Sequence, residues 1–400
     1  MRDCRSWTVY WTTVLVMGLA GCAADSAKSP SDTVASSPIA QAEQQAAGEV
    51  QERAVIRDQR MQSGPFTPSP TVPHPVGKPV PQPLVQGVRP EDPSTFLVLP
   101  GEFAIRTASK KTYLTARDGG HHTIDAVVTA ATTPGPDEKF KVAVQPVVTD
   151  LNHTLSTIQT ARGYYLSIVW GMGGQYDPSQ VVQTEVTSPQ QTDGILLWSR
   201  STIPGVAAYT IQPSAGGYFL TALGGGGKTT GAFHSDATLA KDWEYFTFVK
   251  CGDLGSGLLY TMTPKGHEGD SNSMLGAAYG GGQVKNAVIR GGHLDWLLFR
   301  LIQQSDGSYA IQTSNHVNYV TAVGGGGLAS GDNVHTDATQ VQAWEKFRIV
   351  DRGDCAYTIQ TVSGWYLAVS GNGAISTRIS DPNAAPSIGY TATFELMMVR

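Results

Sequence analysis

From about residue 99 onward, apolar and polar positions alternate in short runs, and the same runs return along the chain. The first carries a central apolar residue: Ala104-Ile105-Arg106-Thr107, Thr157-Ile158-Gln159-Thr160, Thr210-Ile211-Gln212-Pro213, Thr261-Met262-Thr263, Ala310-Ile311-Gln312-Thr313 and Thr358-Ile359-Gln360-Thr361. A second run follows each, at Tyr113-Leu114, Tyr165-Leu166, Phe219-Leu220, Met274-Leu275, Tyr319-Val320 and Tyr366-Leu367. Two places after the aliphatic residue stand Ala116, Ile168, Ala222, Ala277, Ala322 and Val369. A period of two puts one face of a strand into a core and the other outward. Glycine runs at Gly224–Gly227, Gly280–Gly282 and Gly324–Gly327 mark turns. An aromatic run closes the repeat at Trp243-Glu244-Tyr245-Phe246, Trp296-Leu297-Leu298-Phe299 and Trp344-Glu345-Lys346-Phe347. The first and last copies keep only Phe140 and Phe394.

The pattern predicts an all-β fold of six copies, each of about 50 residues and four short strands. Two tandem β-trefoils, at 99–253 and 254–400, take that count. A six-bladed propeller is the alternative. One copy cannot bury its own apolar face, and a trefoil barrel of three copies leaves no exposed strand edge.

Gly216-Gly217-Tyr218-Phe219-Leu220-Thr221-Ala222, its glycine turn, His234-Ser235-Asp236-Ala237-Thr238 and Trp243-Glu244-Tyr245-Phe246 together resemble the fascin-type β-trefoil repeat. Gly364-Trp365-Tyr366-Leu367-Ala368-Val369 is similar to the second strand of growth-factor and cytokine trefoils. Kelch blades set large apolar residues against a double glycine, where this chain has Thr-Ala. The resemblance implies a binding module: carbohydrate or matrix binding as in fascin-like and ricin-like trefoils, or protein interaction as in fascin. Only Gln342-Ala343-Trp344 matches the ricin-type Gln-x-Trp signature.

The first 98 residues differ. Arg2 and Arg5 precede an apolar run from Trp7 to Ala20, too short to span a bilayer as a permanent helix. Leu19-Ala20-Gly21-Cys22 then resembles the bacterial lipobox. That resemblance implies a signal peptide over 1–21, acylation of Cys22 and a lipid-anchored envelope protein. Ala23 in place of Asp argues for the outer membrane. Acyl chains at ~0.8 kcal/mol per buried methylene hold such an anchor without a transmembrane helix. Residues 22–98, rich in Ala, Ser, Gln and Pro, read as a disordered tether.

Composition narrows the chemistry. A net charge of -5 with 15% charged residues leaves no basic footprint for nucleic acid. Beyond the signal and Cys22, only Cys251 and Cys355 remain, and an oxidising envelope would join them; two buried thiols are the other reading. No catalytic, phosphate-loop or metal-ligand pattern is present, so neither enzyme activity nor cofactor is expected. His234-Ser235-Asp236 and His335-Thr336-Asp337 share one repeat position and read as turn caps before the Trp strand. Trp243, Trp296 and Trp344 also share a position and read as core. Tyr164, Tyr218 and Trp365 occupy a place held elsewhere by Thr112, Ser273 and Asn318. With Trp170, they are the candidate ligand-binding aromatics, able to stack on sugar rings.

Overall fold

The computed structural model describes residues 96–145, 153–169, 177–192, 195–199, 208–214, 218–267, 273–284, 288–291, 293–328 and 333–399. The signal, Cys22 and nearly all of the tether lie outside them. β1 (Leu97–Val98) nevertheless falls within the stretch expected to be tether, and it pairs with β5.

The first half contains β2 (Glu102–Thr107), β3 (Tyr113–Ala116), β4 (Val127–Ala131), β5 (Lys139–Val144), β6 (His153–Thr160), β7 (Tyr165–Ile168), β8 (Val182–Val186), β9 (Ile195–Ser199), β10 (Tyr209–Pro213), β11 (Phe219–Ala222), β12 (Phe233–Ala237) and β13 (Tyr245–Cys251). Antiparallel pairing runs β2–β5–β6–β9–β10–β13 and returns to β2, a closed ring of six strands. Three hairpins, β3–β4, β7–β8 and β11–β12, complete it. The second half repeats the scheme with β14 (Leu259–Pro264), β15 (Leu275–Ala277), β16 (Val288–Arg290), β17 (Phe299–Gln303), β18 (Tyr309–Thr313), β19 (Tyr319–Ala322), β20 (Val334–Ala338), β21 (Lys346–Asp351), β22 (Ala356–Thr361), β23 (Tyr366–Ser370), β24 (Ile375–Ile379), β25 (Tyr390–Thr391) and β26 (Phe394–Val399). Its ring is β14–β17–β18–β21–β22–β26 and back to β14, with hairpins β15–β16, β19–β20 and β23–β24. Blades of a propeller would keep their four strands to themselves. Here the outer strands of three consecutive units share one barrel, so the chain is all-β and holds two β-trefoils.

The alternation behaves as the pattern dictates. Ile105, Ile158, Ile211, Met262, Ile311 and Ile359 are all buried, as are Leu114, Leu166, Leu220, Leu275, Val320 and Leu367 on the hairpins. Phe140, Phe246, Phe248, Phe299, Phe347 and Phe394 fill the barrels from the closing strands.

The tryptophans depart from expectation. Trp243 and Trp344 are 38% and 48% exposed, and Trp296 is only partly buried. The repeat uses their backbone: the Trp243 and Trp344 carbonyls each accept from the N–H of Ala222 and Ala322, at 2.9 Å. The next residues turn inward instead. Glu244 and Glu345 are buried, each carboxylate accepting from the hydroxyl of Thr221 or Thr321 at 2.7 and 2.8 Å and from the N–H of Lys241 or Gln342. A buried carboxylate needs such partners. Bracing these turns therefore falls to Glu, with the indole left outside.

The two barrels also touch. Val249 of β13 pairs with Met397 of β26, and both sit in an apolar cluster with Ala104, Tyr113, Met274 and Leu297. Cys251 and Cys355 form a disulfide inside that cluster. Beside it, buried Arg106 donates to Glu395 at 2.7 Å, and the Tyr113 hydroxyl donates to the same carboxylate at 3.1 Å.

Candidate functional site

The glycine turns place every candidate side chain. Gly120, Gly226, Gly281 and Gly326 adopt φ between 99° and 122° with nearly extended ψ, a region essentially closed to other residues. Each is pressed against the next unit around the ring. A Cβ at Gly226 would overlap the Thr112 hydroxyl, one at Gly281 the Thr313 hydroxyl, and one at Gly326 would stand 2.9 Å from Thr361 Oγ1. The threonine that ends the first strand of a unit is thus the floor on which its neighbour's turn rests.

That packing locates the candidate aromatics. Tyr164 lies over Gly120, 2.8 Å from where a Cβ would be, and its ring is 5.2 Å from that of His121. Trp365 covers Gly326 and Gly327 in the same manner. Both are partly buried at the seam between units; Tyr218 is partly buried too. Trp170 lies outside the described residues.

The His-Ser-Asp and His-Thr-Asp strings lie on β12 and β20, not in a turn, which corrects the expectation of turn caps. Their middle residue points to the neighbouring unit. Ser235 Oγ donates to the Val169 carbonyl at 3.0 Å, and Thr336 exchanges backbone bonds with Gly282 and Gln283 while its Oγ1 accepts from Gln283 N at 3.1 Å. Thr129, Thr184 and Thr377 hold the same place and bond the turns at Lys228, His122 and Gly327. The flanking His234–Asp236 and His335–Asp337 pairs, each at 3.8 Å, lie near the surface. Among the described residues no cluster of His, Cys, Asp and Glu fits a metal ion, and no helix is long and apolar enough to cross a membrane.

Two further charged features lie away from the aromatic candidates. A cleft of about 190 Å³ lies between the barrels, lined by Arg106, Lys111, Tyr113, Lys265, Asp354 and Glu395; Lys265 pairs with Asp354 as Arg106 does with Glu395. Lys250 is buried under the first barrel, its Nζ donating to the carbonyls of Pro100, Glu102 and Cys251, 4.6 Å from the Phe103 ring centre. Burial pulls its pKa down to about 8, against the opposing charges of Asp253, Glu102 and Asp351. Both features brace the fold and leave the outer surface to the aromatics.

On that surface, Trp243 and Trp344 stand beside the glycine turns of their own units, Trp243 next to Gly225. In the unit between them Trp296 has company: the Tyr279 ring is 5.1 Å away and the His293 ring 6.1 Å. Sequence reasoning missed Tyr279 because it sits inside a run otherwise read as a turn. It took the tryptophans as core because they recur.

No family model matches the chain, and no curated protein does. Solved structures do match. A mosquitocidal holotoxin is 12% identical with a TM-score of 0.31, over 74% of this chain and 34% of its own, so the chain spans about a third of that protein. The Macrolepiota procera ricin B-like lectin, solved in complex with lactose, is 15% identical over 38% of this chain and 96% of the lectin, with a TM-score of 0.27. A non-toxic homologue of type II RIPs from Momordica charantia (bitter gourd), in complex with α-methyl-D-galactoside, is 12% identical over 75% and 98%, with a TM-score of 0.26. At these scores the likeness adds nothing to the strand pairing, which by itself defines two β-trefoils.

Proposed function

We propose that this chain is a non-catalytic carbohydrate-binding module, held at a bacterial outer membrane by acyl chains on Cys22 and spaced from it by the residues up to about 95. The observation that carries the reading is the exposure of Trp243 and Trp344 at equivalent places in two units. Leaving an indole face in water forgoes about 1.5–3 kcal/mol of burial, and a flat aromatic face on a low-charge surface suits the C–H face of a pyranose. Exposed Asp242 and Gln342 beside the two indoles supply hydroxyl partners. Trp365 contributes from the seam beside Gly326 and Gly327, Tyr164 from the seam beside Gly120, and Tyr218 adds a third partly buried ring. Each site is shallow and weak, and several on one rigid unit gain strength through effective concentration.

A glycan array probed with the Cys22→Ser protein tests this directly. Binding to polysaccharide that falls at least tenfold in the Trp243→Ala/Trp344→Ala double variant is the expected result; binding unchanged in that variant would move the ligand face elsewhere. The same Cys22→Ser protein should leave the washed membrane fraction, and its retention there would remove the anchor.

A further inference from the structure

Tyr279 is the most exposed large hydrophobic residue of the described chain, at 74%, and its backbone has a positive φ. It sits at φ 56°, ψ 22°, the left-handed region, at the second position of the turn Ala278–Gly280. The equivalent positions elsewhere are Gly224 and Gly324, both at φ 65°, and Asp118 at φ 48°. Glycine takes this conformation freely and Asp tolerates it, whereas a bulky side chain is strained by it. Little is recovered by burial, because three-quarters of the residue is in water.

The ring is not alone. Its centre is 5.1 Å from that of Trp296, with the planes inclined at 52°, and the His293 ring stands 6.1 Å from that of Trp296. Asp295, whose side chain is 76% exposed, pairs with His293 at 3.5 Å. Two inclined aromatic faces with an exposed carboxylate and imidazole beside them match one ligand chemistry in particular. The faces take the C–H surfaces of a neutral sugar ring, and the polar pair takes its hydroxyls.

We propose that Tyr279, Trp296, His293 and Asp295 form a saccharide subsite of the second trefoil, distinct from the Trp243 and Trp344 faces, with Tyr279 as its specificity-setting wall. This subsite rests on the carbohydrate reading above. The contact with Trp296 sets the two faces side by side before ligand arrives.

The test uses the Cys22→Ser protein and four neutral hexasaccharides, of glucose, mannose, galactose and N-acetylglucosamine, followed by calorimetry and melting temperature. Tyr279→Gly restores the residue found in sibling turns. We expect it to lower affinity for a bound hexasaccharide at least fivefold while its melting temperature stays level or rises, with Tyr279→Phe retaining most of the affinity. In the Trp243→Ala/Trp344→Ala background a residual binding step should persist, and it should vanish on adding Tyr279→Gly. If the parent binds a hexasaccharide and Tyr279→Gly binds it equally well, the subsite is overturned while the carbohydrate reading stands. A parent that binds none of the four overturns the subsite too, and array binding decides the broader reading. A Tyr279→Gly protein that melts lower with unchanged affinity would make Tyr279 a packing residue and overturn the proposal.

Discussion

At the scale of single residues, recurrence misled where geometry did not. Trp243, Trp296 and Trp344 repeat as regularly as any core position, yet the demand Trp243 and Trp344 answer is a main-chain carbonyl at a turn, which any residue supplies. Trp365 varies between units and is nevertheless wedged over Gly326 and Gly327. Stability should follow contact rather than regularity. Trp365→Ala should cost about 2–3 kcal/mol, because it opens a gap over two glycines, and Trp344→Ala under about 1 kcal/mol. Denaturant melts of the two variants check the order, and a larger loss for Trp344→Ala would reverse it.

Among elements, the strands of each unit were legible because a period of two needs only apolar side chains at alternate places, and six copies average out local noise. What joins the units was not legible. The interlock runs from a buried Ser or Thr on the third strand to the neighbouring turn, and in sequence it is one small polar residue between a His and an Asp that attract more notice. Thr336→Val keeps the shape and deletes the hydroxyl, leaving the Gln283 N–H without its side-chain acceptor. The expected loss is about 1–2 kcal/mol. Asp337→Ala, removing an exposed partner of His335, should change stability by less than about 0.5 kcal/mol. Thermal melts of both distinguish a fold-bracing string from a catalytic one. The Tyr279 subsite was illegible for a different reason: three rings meet there from a turn and a short 3-10 segment that no strand pattern covers.

For the whole molecule, the contact between barrels is the part the sequence could not announce. Arg106 and Glu395 lie 289 residues apart and form their bond in the dry region beside the disulfide. Cys251 and Cys355, 104 residues apart, close a loop whose removal should cost about 2–5 kcal/mol, read as a lower melting point of Cys251→Ser/Cys355→Ser. Lys250 gives the molecule a pH signature. Folded, it holds its proton less well than unfolded, so between about pH 8 and 10.5 the unfolded chain carries more protons and stability rises with pH. Buried Tyr113, Tyr260 and Tyr357 have their pKa values raised, chiefly by burial, so above pH 10 the sign turns and stability falls. Chemical denaturation across pH 7–11 should show a maximum near pH 10. Lys250→Met should flatten the rise and leave the fall, whereas an unaltered rise in that variant would assign it to another group.

The seam where β2 meets β13 sets the order of events in time. One edge of residues 102–107 finds its partner only at 246–251, so the first barrel has no closed form until its last strand has been made. Until then β2 offers an unsatisfied edge, and contacts this distant in sequence form slowly. The hairpins can pair locally, but the ring stays open from β2 at residue 102 to the end of β13 at residue 251. The second barrel, closed by β14 and β26, repeats the delay. Such a chain needs protection against stray strand pairing for as long as the ring is open.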